Sequence, residues 1–237
     1  MSKKVNPNRR TFIQASAVAG AGFWAAGGVA PKKSLAAIEE IGFACVGVGG
    51  KGSSDSDDAG RFGKVIGICD IDDETLNKAG EKFPGAKKYN DYRKMYEELG
   101  ASIDAVTVST PDHTHAVAAA QAMKMGKACF CQKPLTRSLW EARQLSEIAK
   151  KMNVPTQMGN QGTAESNLRK SAALIGKKMV VGTVKEVHVW TNRPVWPQAY
   201  GLKVATMAPP AHVKWDLWLG PNKKHEYSPE IHPFKWR

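Results

Sequence analysis

The sequence predicts an α/β protein in which a doubly wound parallel sheet is followed by the beginning of an α+β domain with an open, mainly antiparallel sheet. Three observations carry this expectation. Short apolar runs alternate with amphipathic helical segments from Ile41 to about Gly162, as in a parallel sheet covered on both faces by right-handed crossovers. Gly47, Gly49 and Gly52 form G-x-G-x-x-G between the first apolar run and the first helical segment. Beyond Gly162, "TVKEVHVWTN" alternates with a period of two, as in a strand with one face open.

The elements follow in order. "IGFACVGV" is the first strand, and the glycine turn leads into a polar helix. "KVIGICD" is the second strand, followed by helical stretches around Glu74 to Phe83 and over "NDYRKMYEEL". "DAVTVST" is the next strand, and "PDHTHAVAAAQAMKMG" a helix started by Pro111 and stopped by Gly126. "KACFCQKP" supplies another strand. In the helix after it, Ser138 and Glu141 form a capping box that satisfies exposed backbone N–H groups. Leu135, Leu139, Ala142, Leu145, Ala149 and Met152 repeat at three- and four-residue steps, as a helix lying on a sheet requires. "VPTQMGN" is the last strand of this series, and one more helix runs to about Lys177. Five of the seven tryptophans fall after Val189. One strand and a Pro/Trp-rich loop do not complete a sheet, so residues 178–237 either pack on the first domain or belong to a chain that continues.

The N-terminus is of another kind. Arg9 and Arg10 precede an apolar, Ala/Gly-rich run from about Phe12 to Ala30, with small residues at Ser34-Leu35-Ala36 that suit a signal peptidase. Gln14, Ser16 and the glycines weaken a reading as a membrane anchor. The formal net charge is +12, but six of these charges lie in the first 36 residues, where no acid offsets them. The remainder is interleaved with Asp and Glu, so no nucleic-acid partner is expected. The expected organisation is an export signal over 1–37, a nucleotide-binding domain over 38–161 and an incomplete substrate domain over 162–237.

The glycines have separate tasks in a dinucleotide site. Gly47 permits the tight turn, Gly49 lets the backbone approach a pyrophosphate, and Gly52 lets helix and strand pack closely, with Gly50 inside the same turn. The helix N-terminus adds N–H donors and partial positive charge. Asp70, 18 residues beyond Gly52 at the end of the second strand, would accept hydrogen bonds from the adenosine ribose and repel a 2′-phosphate. NAD is therefore expected over NADP. A solvated helix cap is the plain alternative for Asp70. Asp55, Asp57 and Asp58 sit near the phosphate end of the first helix and are expected to point to solvent.

Ser109-Thr110-Pro111 and the following "DHTH", which includes His115, stand at the carboxyl end of a strand, the edge where open α/β sheets bind ligands. Gln132 and Lys133 close the next strand on that edge. A lysine there either reaches into the cleft to polarise a substrate hydroxyl or is an exposed loop residue. Cys129 and Cys131 share a strand face and could be drawn with His113 and His115 as a zinc site. No CxxC or His-rich helix accompanies them, and buried Cys behaves as a small hydrophobe, so no metal is expected. His188, His212, His225 and His232 are expected on loops or the surface.

Taken together, G-x-G-x-x-G, Asp70, "STPDHTH", the lysine of "QKP", and "WDLWLGP" followed by "HPFKWR" resemble the glucose–fructose oxidoreductase, inositol dehydrogenase and rhizopine-catabolism (Gfo/Idh/MocA) family, especially its exported bacterial members. The resemblance implies a Rossmann domain, a second domain with a large open sheet, and reversible oxidation of a sugar or cyclitol hydroxyl with Lys133 as the catalytic residue. It also implies a cofactor site formed by Gly47, Gly49, Gly50, Gly52, Asp70, Thr110, Pro111, His115, Gln132, Lys133, Asn160 and Gln161, the last two lining the junction with substrate. Where the family usually has "EKP", this chain has "QKP", so Gln132 stands in place of an acid. In relatives, residues after "PFKWR" bring a catalytic histidine and aspartate; this chain stops at Arg237, and a truncated product is expected.

"RRTFIQ" resembles a twin-arginine signal, whose translocon carries folded cargo. An exported dehydrogenase must be loaded with NAD beforehand and keep it, which needs a dissociation constant on the order of nanomolar, about −12 kcal/mol. The expected function is hydride transfer from a carbohydrate with tightly held cofactor, in a protein that is a homo-oligomer when full length. An NAD-dependent glycoside hydrolase or lyase, and a non-catalytic carbohydrate- or nucleotide-binding protein, are the alternatives.

Overall fold

The computed structural model describes residues 40–177, 180–192 and 204–234. The expected export signal, Trp196 and Trp236 lie outside them. Six strands form one all-parallel sheet: β1 (Gly42–Val46), β2 (Lys64–Cys69), β3 (Lys87–Tyr89), β4 (Ala105–Val108), β5 (Ala128–Gln132) and β6 (Thr156–Gly159), in the spatial order β3-β2-β1-β4-β5-β6. The order reverses between β1 and β4, the switch point outside whose carboxyl strand ends open α/β sheets bind ligands.

The two-residue period of the strands sorts the core into two layers. Ala44, Val46, Val106, Val108, Cys129 and Cys131 face α3 (Tyr92–Leu99), α4 (Asp112–Lys124) and α5 (Leu139–Met152). Cys45, Val65 and Ile68 face α1 (Lys51–Phe62) and α2 (Asp73–Lys82). Each buried aliphatic side chain contributes roughly 1.5–3 kcal/mol on removal from water, and helices on both faces make this possible for strands apolar on both sides. The capping box forms as expected, with the Ser138 hydroxyl accepting from the Glu141 N–H and the Glu141 carboxylate from the Ser138 N–H. On α5, Leu145 is buried, whereas Leu139, the first residue of the helix, stands almost wholly in solvent.

Two features depart from the sequence pattern. β3 consists of Lys-Lys-Tyr and has no apolar run to announce it; as an edge strand it pairs only with β2, and its lysines discourage further strand addition. The strand expected over "TVKEVHVWTN" is not formed among the described residues: 183–192 carry no ladder and expose Val187, Val189 and Trp190. An alternating sequence needs a neighbouring strand to satisfy its backbone, and none is described beside it. The helix expected up to about Lys177 is broken into α6 (Gln161–Ala164), α7 (Ser166–Ala172) and a wide π turn over Ala173–Lys177.

Residues 204–234 instead fold back onto the parallel-sheet domain. Val213 bridges antiparallel to Asp72, the Lys214 N–H donates to the Ile71 carbonyl, and the Asp73 N–H donates to the His212 carbonyl. Trp215 and Trp218 of α8 (Trp215–Leu219) stack with ring centres 4.6 Å apart and pack with Val213, Leu219, Tyr227 and Ile71. His232 lies in a turn, within the loop or surface setting expected of it, yet is buried, its ring edge-on to both tryptophans and tilted against Tyr227. His113 reaches the same patch, its Nε2 lying 2.7 Å from the Trp218 carbonyl.

His212 fastens this segment to the start of α2. Its Nδ1 lies 2.9 Å from Asp72 Oδ1, and this hydrogen bond raises the imidazole above its usual range. Burial pushes the Asp72 carboxyl up, but the His212 hydrogen bond and the Glu74 amide outweigh it and leave it lowered. The attachment is therefore complete between the usual carboxylate and imidazole ranges, weakening as pH rises through the raised His212 value and as it falls through the lowered Asp72 value. Amide exchange at Asp73 and Lys214, corrected for intrinsic rates, should accelerate in both directions from about pH 5–6. His212→Ala should abolish the alkaline limb, and an unchanged limb would show that this pair does not hold the segment.

Candidate dinucleotide site

The site begins where α1 meets β1. The Gly47 N–H donates to the Cys69 carbonyl at 2.8 Å, and Gly47 itself has φ +78°, a conformation that side chains disfavour. A Cβ at Gly52 would stand 1.9 Å from the Gly47 carbonyl oxygen, so helix and turn touch only because neither carries a side chain there. A Cβ at Gly49 would meet Thr75 Cγ2 at 2.9 Å and approach Asp70 Oδ2 at 3.7 Å. Gly50 caps α1 without a side-chain hydrogen bond, and no acid occupies the first turn. The result is a cradle bare of side chains at a positive helix end, which fits a pyrophosphate.

Asp70 closes the cradle on the adenosine side. Its Oδ2 accepts from the Val48 N–H at 3.0 Å and the Gly49 N–H at 3.3 Å, and its Oδ1 accepts from the Asp72 N–H. Burial raises its carboxyl, and the three backbone amides only partly counter this. An ionised Asp70 is thus incompletely compensated by these amides, and hydroxyl donors such as those of a dinucleotide's ribose would add to them. It faces the glycine turn, while the capping role at α2 belongs to Asp72, which accepts from the Glu74 N–H.

The remaining expected residues fall along the same edge. Ser109, Thr110 and Pro111 follow β4 half-buried, with the Ser109 N–H bonded to the Val46 carbonyl. Lys133 follows β5 with an exposed side chain. Asn160 and Gln161 follow β6, and the Gln161 side-chain nitrogen is enclosed without a partner.

Three side chains differ from expectation. His115 is 1% exposed and spans the Thr110 and Pro134 carbonyls, each 2.7 Å from a ring nitrogen. With both nitrogens engaged, it positions the two loops and does not present an atom to a ligand. Gln132, 4% exposed, likewise turns inward, donating to Asp55 at 2.8 Å. Asp55 itself is buried, where solvent exposure was expected, because it lies on the inner face of α1 with Gly52, Ser56 and Ala59. Asp57 and Asp58 do face outward, paired with Lys82 and Arg61. The three- and four-residue spacing from Gly52 was the signal that marks Asp55 as inward.

Cys45, Cys69, Cys129 and Cys131 are all buried free thiols, and burial pushes Cys45 to about 11 and Cys129 to about 12. Among the described residues, the ligand-like cluster is Asp72, Glu74 and His212, already joined by the His212–Asp72 hydrogen bond.

Residues 41–160 match the family model of GFO_IDH_MocA, described as an oxidoreductase family with an NAD-binding Rossmann fold. The chain belongs to the Gfo/Idh/MocA family. It is similar to the myo-inositol 2-dehydrogenase of Thermotoga maritima, 27% identical over 125 residues, covering 53% of this chain and 36% of that protein. It is also similar to the scyllo-inositol 2-dehydrogenase (NAD(+)) of Bacillus subtilis, 36% identical over 99 residues, covering 39% of this chain and 28% of the relative. A solved protein from gentamicin A biosynthesis, in complex with NAD, superposes with a TM-score of 0.56 at 25% identity, over 61% of this chain and 41% of that one. The chain thus spans well under half the length of each of these relatives. The Gfo/Idh/MocA chain carries an NAD-binding Rossmann fold, and the cradle and Asp70 are the residues that would hold the dinucleotide.

Replacing Asp70 by Ser removes the ribose acceptor and the charge that opposes a 2′-phosphate. The ratio of NADP to NAD dissociation constants should fall by at least about tenfold, on the order of 1.4 kcal/mol, as measured by titrating each nucleotide. An unchanged ratio would take Asp70 out of adenosine recognition.

Proposed function

We propose that the intact protein oxidises a hydroxyl of a sugar or cyclitol by hydride transfer to a tightly held NAD. The observation that carries this reading is the placement of Lys133, Asn160 and Gln161 at the ends of β5 and β6, on the edge that also bears the glycine cradle. The inositol dehydrogenases among the relatives support a polyol substrate. NAD supplies the hydride acceptor. Lys133 would donate a hydrogen bond to the substrate oxygen and offset the negative charge that grows there as its proton leaves for a general base. No carboxylate pairs with the Lys133 ammonium among the described residues, which keeps its charge available to substrate.

The paired arginines ahead of an apolar segment support export of the folded, NAD-loaded protein by the twin-arginine route. A cycle that returns the cofactor to its starting oxidation state suits that setting. An assembly of identical subunits is part of the same proposal.

Lys133→Ala in the full-length protein should retain NAD while turnover of inositols and aldoses, followed by nicotinamide absorbance, falls by at least about 10²-fold. Unchanged turnover would remove Lys133 from the chemistry. Release of aryl alcohol from aryl glycosides without net keto-sugar would instead favour the hydrolase or lyase reading. Denaturing the exported protein should liberate stoichiometric dinucleotide detectable by mass spectrometry; its absence would overturn the retained-cofactor cycle.

A further inference from the structure

The Asp55 carboxylate is 6% exposed and receives donors from three parts of the fold. Lys51 Nζ pairs with Oδ1 from the first turn of α1, while Oδ2 accepts from Ser109 Oγ at 2.7 Å and Gln132 Nε2 at 2.8 Å. Gln132 then uses its other end, Oε1, to accept from the Lys133 N–H at 3.2 Å. Its amide is held from the far side by Gly159 at the end of β6, where a Cβ would come within 2.7 Å of Nε2. A continuous polar chain therefore joins the helix beneath the pyrophosphate cradle to the backbone of Lys133.

We propose that Asp55 and Gln132 are a matched carboxylate–carboxamide pair of positioning residues that sets the β5 end, and with it Lys133, against the dinucleotide helix. The pair works because one member is an anion and the other a donor. A second carboxylate at 132 would face Asp55 across hydrogen-bond distance out of water, and one of the two would have to hold a proton. The amide at 132 is on this view the partner that a buried acid at 55 demands. Among the described residues the ionisable groups facing Asp55 are Lys51 on α1, already paired to it, and the Cys45 thiol on β1, which burial keeps protonated. The assignment of Lys133 to substrate chemistry rests on the proposed function; the coupling of Asp55 to Gln132 does not.

The test is a charge transposition in the full chain, reading NAD affinity and unfolding midpoint from pH 5 to 9. Gln132→Glu should match the parent most closely at low pH and fall behind as pH rises, its folding equilibrium constant losing about tenfold for each pKa unit by which folding raises the shared proton, with NAD affinity declining over the same pH range. Asp55→Asn combined with Gln132→Glu should restore both readouts to within about twofold and remove the added pH dependence. A Gln132→Glu profile parallel to the parent's, or a transposed pair no better than Gln132→Glu alone, would overturn the coupling. If Gln132→Glu does not fold at neutral pH, recovery of NAD affinity by the transposed pair supports the proposal, and its failure to fold as well overturns it. Loss of the Lys133 effect on turnover with these readouts intact would refute only the substrate role.

Discussion

The contact between α1 and the turn after β1 is the constraint from which the site follows. With a Cβ at Gly52 only 1.9 Å from the Gly47 oxygen, no other residue lets the helix come this close to the strand. That closeness aims the first turn of α1 at the crevice, and it brings Asp55, one turn further on, into reach of Ser109 and Gln132. A helix set back by a single methyl group would widen the cradle and separate the buried carboxylate from its donors together. Phosphate recognition and alignment of the neighbouring strand ends are therefore consequences of one backbone approach.

Much of this was legible in the sequence because the relevant signals are local. Four strands announce themselves as short apolar runs, the capping box at Ser138 and Glu141 is a four-residue pattern, and Asp70 has a position defined by its strand end. β3 was not legible, since an edge strand buries little and Lys-Lys-Tyr has no apolar face. Asp55 was misread because an acid near a phosphate site is ordinarily solvated; only its helical phase with Gly52 and Ala59 marks it as inward. The helix that carries His115 and the strand that ends on Gln132 are legible, but the orientation of these two side chains depends on partners distant in sequence, Pro134 and Asp55 respectively. The strand expected over 183–192 shows the limit of periodicity: alternation specifies faces and does not supply a neighbour to bond with.

Asp70 and the 204–234 segment meet at the start of α2. The carboxylate of Asp70 turns toward the glycine cradle, while the adjacent Asp72 and Asp73 turn away toward His212 and Lys214. Three acids in four residues would repel one another if they shared a direction. Here each meets a different group: backbone amides, which compensate Asp70 only in part, an imidazole for Asp72 and an ammonium for Asp73. The returning segment thus supplies the cations that leave Asp70 as the one acid of the group facing the crevice.

The four thiols bear on where such a chain can live. Disulfide exchange requires a thiolate with access to an attacking partner, and each of these cysteines is enclosed and held in its protonated form. Once folded, the domain offers no ready sulfur nucleophile to an oxidising medium, and the neighbours Cys129 and Cys131 are shielded from cross-linking elsewhere. An unfolded chain has no such protection. A fold acquired before any contact with oxidants would keep these sulfurs as inert packing groups.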